Sequence, residues 1–153
     1  MTPAEPTYTT TYAIKVMGAT WNYALDDRGL KVDAALRHDF VPWEQVRGAA
    51  FGTLHGAPVP GAVGEMAQLL VSVQEPGRRK PRLKRYNVRL GEAEAVRLGE
   101  ELSRRLGPRW LGVGELNPIT RRLGHSTTWA AVLAVVLVAA IAVAVVVVMV
   151  LRG

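Results

Sequence analysis

Residues 12–32 read YAIKVMGATWNYALDDRGLKV, an alternation of apolar and polar side chains from which a β-fold follows. The large apolar positions are Tyr12, Ile14 and Val16, then Trp21, Tyr23 and Leu25. A period of two places each set on one face of a strand, so the sequence predicts two antiparallel strands. A turn is predicted at Asp27, Arg28 and Gly29, because Asp favours turn backbone and Gly accepts positive φ. A third strand is predicted to begin at Leu30.

Further short strands are predicted downstream, at 37–41, 46–51, 66–74 and 82–90, which brings the total to about seven. Pro76 and Gly77 lie between the last two strands, which favours a hairpin. The run from Leu69 to Val73 is apolar at nearly every position, a pattern typical of a strand that is buried on both faces. We therefore expect this strand to be central in the core.

One amphipathic helix is predicted after the last strand. Glu92 and Glu94 suit the positive end of a helix dipole at its start. Apolar residues then recur at spacings of three and four, at Ala95, Leu98, Leu102 and Leu106. Gly107 and Pro108 end the pattern. The sequence thus predicts a helix of about 15 residues whose apolar stripe packs on the sheet.

This element order, mainly β with one C-terminal helix, is similar to that of the pleckstrin-homology (PH) fold. The resemblance includes two motifs, WNYALDDRGLKV at 21–32 and FVPWEQV at 40–46. An aromatic strand, an Asp-Gly turn and a Pro-Trp-x-x-Val step recur in bacterial domains of this type. The chain therefore resembles bacterial PH-like domains over 10–110.

The resemblance implies a half-open barrel of two packed sheets, plugged at one end by the helix. It also implies a binding or scaffolding module and no catalysis. Relatives that grip phosphoinositide head groups use a basic loop between the first two strands, whereas Met17 to Thr20 is short and uncharged here. The resemblance therefore gives no support to that ligand.

Residues 129–151 form a run of 23 residues without charge, amide, hydroxyl, Gly or Pro. As a helix with a rise of about 1.5 Å per residue, the run reaches roughly 34 Å and exceeds a hydrocarbon core of about 30 Å. Its many Val residues would favour strand in water, but a bilayer offers no partner to an unpaired backbone group. The sequence predicts a transmembrane helix, with Arg121, Arg122, Trp129 and Arg152 as interface anchors.

The segment before the span is expected to be cytoplasmic, because no apolar stretch near the N-terminus resembles a signal peptide. Composition suggests a bacterial chain, so the membrane is expected to be the plasma membrane. The absence of cysteine fits a reducing compartment. The predicted organisation is a disordered N-terminus at 1–9, a PH-like domain at 10–110, a flexible linker at 111–128, the span at 129–151 and a short tail at 152–153.

No catalytic or metal-binding pattern is present in the sequence. The histidines, His38, His55 and His125, lack metal-ligand spacing and have no Cys companion. The glycine-rich stretch 52–64 lacks the Lys-Ser/Thr of a P-loop, and it is interpreted as a spacer or a partner contact. No cofactor, metal or enzymatic activity is expected.

Positive charge is concentrated in one part of the chain. Residues 1–74 hold five basic and seven acidic residues, a net of −2, whereas 75–122 hold thirteen basic and six acidic residues, a net of +7. The densest run comprises Arg78, Arg79, Lys80, Arg82, Lys84, Arg85 and Arg89. Three interpretations stay open: contact with anionic lipid head groups, contact with an acidic membrane protein, or a solvated face that protects an edge strand. Nucleic acid is not expected, because the chain is predicted to be membrane-anchored and Tyr86 is the single aromatic residue within the run.

The sequence therefore predicts a tail-anchored membrane protein that presents a cytoplasmic, non-catalytic PH-like module with a basic contact surface. The alternative is a small accessory subunit of a larger membrane complex, which packs through its span. Ala130 with Ala134, and Ala140 with Ala144, offer small-xxx-small spacing for such packing. The same spacing leaves a homo-oligomer open.

Overall fold

The computed structural model describes residues 9–53 and 65–125. The N-terminal segment up to residue 8 and most of the glycine-rich stretch lie outside the described residues. So does the predicted span with its anchors Trp129 and Arg152. Among the described residues, no helix has the length and apolar character needed to cross a bilayer.

The described chain is mainly β, in two four-stranded sheets. Its strands are β1 (Thr10–Val16), β2 (Ala19–Leu25), β3 (Gly29–Ala34), β4 (Arg37–Pro42), β5 (Val46–Thr53), β6 (Glu65–Val73), β7 (Arg82–Leu90) and β8 (Trp110–Glu115). Its helices are α1 (Ala93–Leu106) and α2 (Leu116–Arg122), with 3-10 turns at Trp43–Gln45 and Gly107–Arg109. We call the sheet β1-β2-β3-β4 sheet A and the sheet β7-β6-β5-β8 sheet B. The predicted strands and helix are confirmed, and β8 and α2 are additions that the sequence analysis did not predict.

Sheet A is a meander of antiparallel hairpins with one buried and one solvated face. In β1 the buried residues are Tyr12, Ile14 and Val16, as the alternation predicted. The turn before β3 is held by Asp26, whose Oδ1 accepts hydrogen bonds from the backbone N of Arg28 (2.8 Å) and of Gly29 (3.0 Å). The carboxylate one position before the predicted turn thus fixes it, in the manner of an Asx turn.

Helix α1 covers the core between the sheets with the predicted stripe. Ala95, Leu98, Leu102 and Leu106 are all buried. Glu101 is also buried, and its Oε1 accepts a hydrogen bond from Nε of Arg105 (2.7 Å), so its charge is paired. The Arg105 guanidinium donates to the backbone O of Asp26 (2.8 Å), which joins the end of the helix to the β2–β3 turn.

The central strands of sheet B, β5 and β6, are buried on both faces, and α2 covers their outer face. The inner face packs on the main core, whereas Ala50 and Leu70 point outward and form a second cluster with Ile119 and Leu123. Glycine on β5 makes room for the helix: a Cβ on Gly52 would lie 2.8 Å from Cδ1 of Leu116. The prediction that 69–73 is buried on both faces is therefore confirmed.

The prediction of a flexible linker is wrong for residues 111–125, most of which form β8 and α2. β8 pairs in parallel with β5, and α2 packs on the outer face of sheet B. The glycines that suggested mobility serve defined conformations, since Gly112 has φ +77 beside an irregular register and Gly124 has φ +80 at the end of α2. A strand that is apolar on both faces needs a second cover, and this segment supplies it.

Candidate functional site

The basic hairpin between β6 and β7 divides into paired and unpaired cations. Three of its seven predicted contact residues lie beside carboxylates: Arg78 with Glu75 (2.8 Å), Lys84 with Asp39 (2.7 Å) and Arg89 with Glu92 (3.6 Å). The other four are Arg79, Lys80, Arg82 and Arg85, all exposed. Within 9–53 and 65–125, these four form no ion pair.

Lys84 belongs to a network that joins the two sheets. Asp39 on β4 accepts hydrogen bonds from Nζ of Lys84 (2.7 Å) and from the hydroxyl of Tyr86 (2.8 Å). The Arg37 guanidinium lies over the Tyr86 ring, 4.7 Å from its centroid. Burial raises the pKa of Asp39, but the hydrogen bonds from Lys84 and Tyr86 and the neighbouring positive charges outweigh it and hold the pKa below its usual value. Lys84 therefore stabilises the sheet junction and is not a free surface charge.

Other elements bring further cations to the same end of sheet B. The register pairs Gly48 with Ser72, and Ser72 with Leu83, so β5 and β7 begin where β6 ends. β8 begins there too, because Trp110 pairs with Ala49. The exposed cations at this end are Arg47, Arg79, Lys80, Arg82, Arg85, Arg109, Arg121 and Arg122. We call this set the basic end.

Carboxylates are few at the basic end and frequent at the opposite end of sheet B. Glu44 and Glu75 lie at the basic end, and Glu75 is paired with Arg78. At the other end, which we call the acidic end, Glu65 begins β6, Glu115 ends β8, and Glu92, which is paired with Arg89, follows β7. The sheet is therefore polarised along its strands, which focuses positive potential at the basic end.

The described chain ends beside the basic end. After α2, the Nε2 atom of His125 lies 2.9 Å from Oγ of Ser72 on β6. Burial, followed by the charge of Arg85, lowers the pKa of His125, so the imidazole is neutral near pH 7. The predicted span begins four residues later, and four residues reach at most about 14 Å. The separation between the described domain and the predicted span is therefore shorter than the predicted linker, because residues 111–122 form β8 and α2.

The remaining histidine and acidic residues do not form a metal site. Nδ1 of His38 lies 2.9 Å from Oδ1 of Asp33 across the β3–β4 ladder, at the surface, and Asp39 points the opposite way. In the part of the chain that the structure describes, no group of three or more His, Cys, Asp or Glu side chains comes together to hold a metal ion. His55 lies outside the described residues.

No protein-family model matches this chain, and no curated protein or solved structure matches it either.

The sequence analysis missed Arg47 and Arg109 as members of the basic end. Each is isolated in the sequence, and only the pairing of β8 with β5 brings them near Arg122. One sequence signal was available. Gly48 and Gly52 lie on the same face of β5, next to the apolar strand β6, and two glycines on one face leave room for a covering helix. That signal would have predicted α2.

Proposed function

We propose that this protein is a membrane-anchored, non-catalytic binding module that rests its basic end on anionic lipid head groups. The observation that carries the proposal is the position of His125: the chain runs toward the predicted span from the end of sheet B where unpaired cations collect. Such a short tether leaves the basic end beside the bilayer and the acidic end away from it.

The energetics favour contact with anionic lipid. Each Lys or Arg near an anionic leaflet contributes about 1 kcal/mol, so about half of the basic end would contribute roughly 4 kcal/mol. A short tether also raises the effective concentration of the surface at the bilayer, so weak contacts suffice. The attraction falls off within a Debye length of about 8 Å at physiological salt, a distance comparable to the reach of the tether.

We also propose that the fold is PH-like. Support comes from the two packed sheets with α1 over the core, and from contacts among the residues of the two resembling motifs. Nε1 of Trp43 donates to the backbone O of Asp26 (2.7 Å), so the Pro-Trp step and the Asp-Gly turn meet. β8 and α2 lie beyond the region that the resemblance covers, and they place the end of the described chain beside the basic end.

The proposed location is the cytoplasmic face of the plasma membrane, where anionic lipids supply the negative charge. The basic residues before the predicted span support this side. An acidic membrane protein would use the same surface. A test in nanodiscs that contain lipid and no other protein separates lipid contact from protein contact.

The test uses the full chain in lipid nanodiscs. The chain has no cysteine, so Arg79→Cys at the basic end and Ala93→Cys at the acidic end each carry one thiol. The rate of reaction with a charge-neutral, water-soluble maleimide is measured in phosphatidylcholine discs and in discs containing phosphatidylglycerol, at low and high salt.

The proposal expects the thiol at residue 79 to react several-fold more slowly in anionic discs at low salt, and to recover at high salt. The thiol at residue 93 should react equally in both discs. A reaction rate at residue 79 that does not depend on lipid charge or salt would reject lipid contact. The basic end would then be interpreted as a contact for an acidic protein or as a solvated edge.

A further inference from the structure

A small cavity of about 220 Å³ lies within the basic end, between the start of β5, the 3-10 turn after α1 and the end of α2. Three arginines line it, Arg47, Arg109 and Arg122, and Leu111 and Leu123 form apolar walls. None of its lining residues is acidic. Three like charges therefore surround one small space without a compensating carboxylate in its wall.

The arginines are positioned by the fold. Val46 pairs with Val73 and Gly48 pairs with Ser72, and the irregularity between them leaves Arg47 as an extra residue on β5. Such bulges redirect a side chain, here toward the cavity. The Arg109 guanidinium donates to the backbone O of Val46 (2.8 Å), which fixes its position.

Arg122 is held by the packing of the residue that follows it. Leu123 is buried against β5, where a Cβ on Gly48 would lie only 3.0 Å from its Cδ2 atom. This close packing of Leu123 on Gly48 places the end of α2 beside Arg47. The cavity is thus formed by a β-bulge, an anchored arginine and a packed helix end.

Size and charge indicate what would fill it. Ligand pockets for larger molecules are typically about 300 to 1,000 Å³, so this cavity suits a small group. Guanidinium groups match the oxygens of phosphate through pairs of parallel hydrogen bonds. An anion would also relieve the repulsion among the three charges.

We propose that Arg47, Arg109 and Arg122 form a binding site for a phosphate group, with a preference for a phosphomonoester over a phosphodiester. A monoester carries about −1.5 to −2 charges near pH 7 and offers three terminal oxygens, one for each guanidinium. That the phosphate belongs to a lipid rests on the proposed membrane contact, whereas the site itself does not.

The test uses the full chain in phosphatidylcholine nanodiscs with three separate additions. The first is phosphatidic acid, a lipid phosphomonoester. The second is phosphatidylglycerol, a lipid phosphodiester, at a matched total charge. The third is free inorganic phosphate. Binding is followed by tryptophan fluorescence, since Trp110 begins β8 next to Arg109, and by the shift in the unfolding temperature.

Two substitutions probe the cavity and two variants serve as controls. Arg47→Gln and Arg122→Gln each remove one guanidinium, while Arg109 is left intact because it also holds Val46. Arg97→Gln changes an exposed arginine on α1, and the double variant Arg79→Gln with Arg82→Gln weakens the hairpin without touching the cavity. All four variants should give the same far-UV circular dichroism as the parent chain.

The proposal expects a saturable response to phosphatidic acid that Arg47→Gln and Arg122→Gln each weaken about 10-fold or more, and that both controls retain. A response to inorganic phosphate with the same variant dependence would also support the site and identify a soluble phosphate as a second source. Two results would overturn the site and leave the proposed membrane contact intact. One is an equal response to the two anionic lipids, and the other is a hairpin variant that weakens the response as much as Arg47→Gln and Arg122→Gln do. The absence of a saturable response in every arm would also overturn it.

Discussion

Sheets A and B share one core but differ in what covers their other faces. In β1 buried and exposed residues alternate strictly from Tyr12 to Val16, and the outer face of sheet A meets solvent. In β6 every residue from Leu69 to Val73 is buried, because α2 lies over the outer face of sheet B. A run without alternation therefore indicates a second covering element. Here that element also fixes where the chain leaves the domain.

The largest expected effect comes from placing a charge under α2. Leu70 is fully buried on the outer face of β6, so Leu70→Asp would bury an unpaired carboxylate and destabilise the protein by about 3 to 5 kcal/mol. The matched change on sheet A, Ala13→Asp, lies at an exposed position of β1 and should cost within about 0.5 kcal/mol. Chemical denaturation of both variants measures the difference. Equal tolerance would mean that α2 does not cover sheet B in solution.

A second variant probes the cover itself. Ile119 on α2 is buried against Ala50 and Leu70, so Ile119→Ala should lower the free energy of unfolding by about 2 to 4 kcal/mol. Val113→Ala on β8 is the control, because Val113 is 59% exposed and should change stability by less than about 0.5 kcal/mol. Denaturation midpoints test both, and hydrogen exchange of β6 should rise only in the Ile119 variant.

The charge polarity of sheet B gives the third prediction. Arg79→Glu with Arg82→Glu reverses two exposed cations at the basic end, so contact with anionic nanodiscs should weaken by at least about 2 kcal/mol, or roughly 30-fold. Reversal of Lys15 on β1 and Arg97 on α1, two exposed residues outside sheet B, changes the net charge by the same amount and should leave the contact nearly unchanged. The maleimide reaction of Pro76→Cys, an exposed position in the same hairpin turn, reports the contact. Equal loss in both double variants would show that only net charge matters.

The smallest effect concerns pH. The pKa of His125 is lowered in the folded protein by burial and by Arg85, so the unfolded chain binds the proton more readily. This contribution to stability is complete above the ordinary pKa of about 6.5 and is lost as the pH falls through the folded value. His125→Gln should therefore flatten the pH dependence of the unfolding free energy below about pH 6.5, with Ser72→Ala as a comparison. An unchanged slope would contradict the lowered pKa of the half-buried His125 imidazole.

Much of sheet A and α1 could be predicted from the sequence because their signals are local. Alternation fixes the faces of β1 and β2, and the Ala95–Leu106 stripe fixes the buried face of α1. The basic residues of the hairpin could also be predicted from the sequence. Their ion-pair partners could not, because a pair such as Lys84 with Asp39 joins two different sheets.

The covering segment was missed because its glycines resemble those of a linker. Gly112 and Gly124 indicate positive φ equally well in a mobile tether and in an ordered strand-to-helix segment. The information that separates the two lies elsewhere, in the doubly apolar β6 and in Gly48 and Gly52 of β5. Arg47 and Arg109 joined the candidate site only through that long-range pairing.

The orientation that we propose is set by α2 and has the basic end of sheet B facing the bilayer. Its most direct test places one fluorophore on the full chain, at Arg79→Cys or at Ala93→Cys, in nanodiscs that carry a nitroxide on the lipid head group. We expect strong quenching at residue 79 and little at residue 93. This difference should be lost when Ile119→Asp releases α2 from sheet B. Equal quenching at the two ends, or stronger quenching at residue 93, would contradict the proposed orientation.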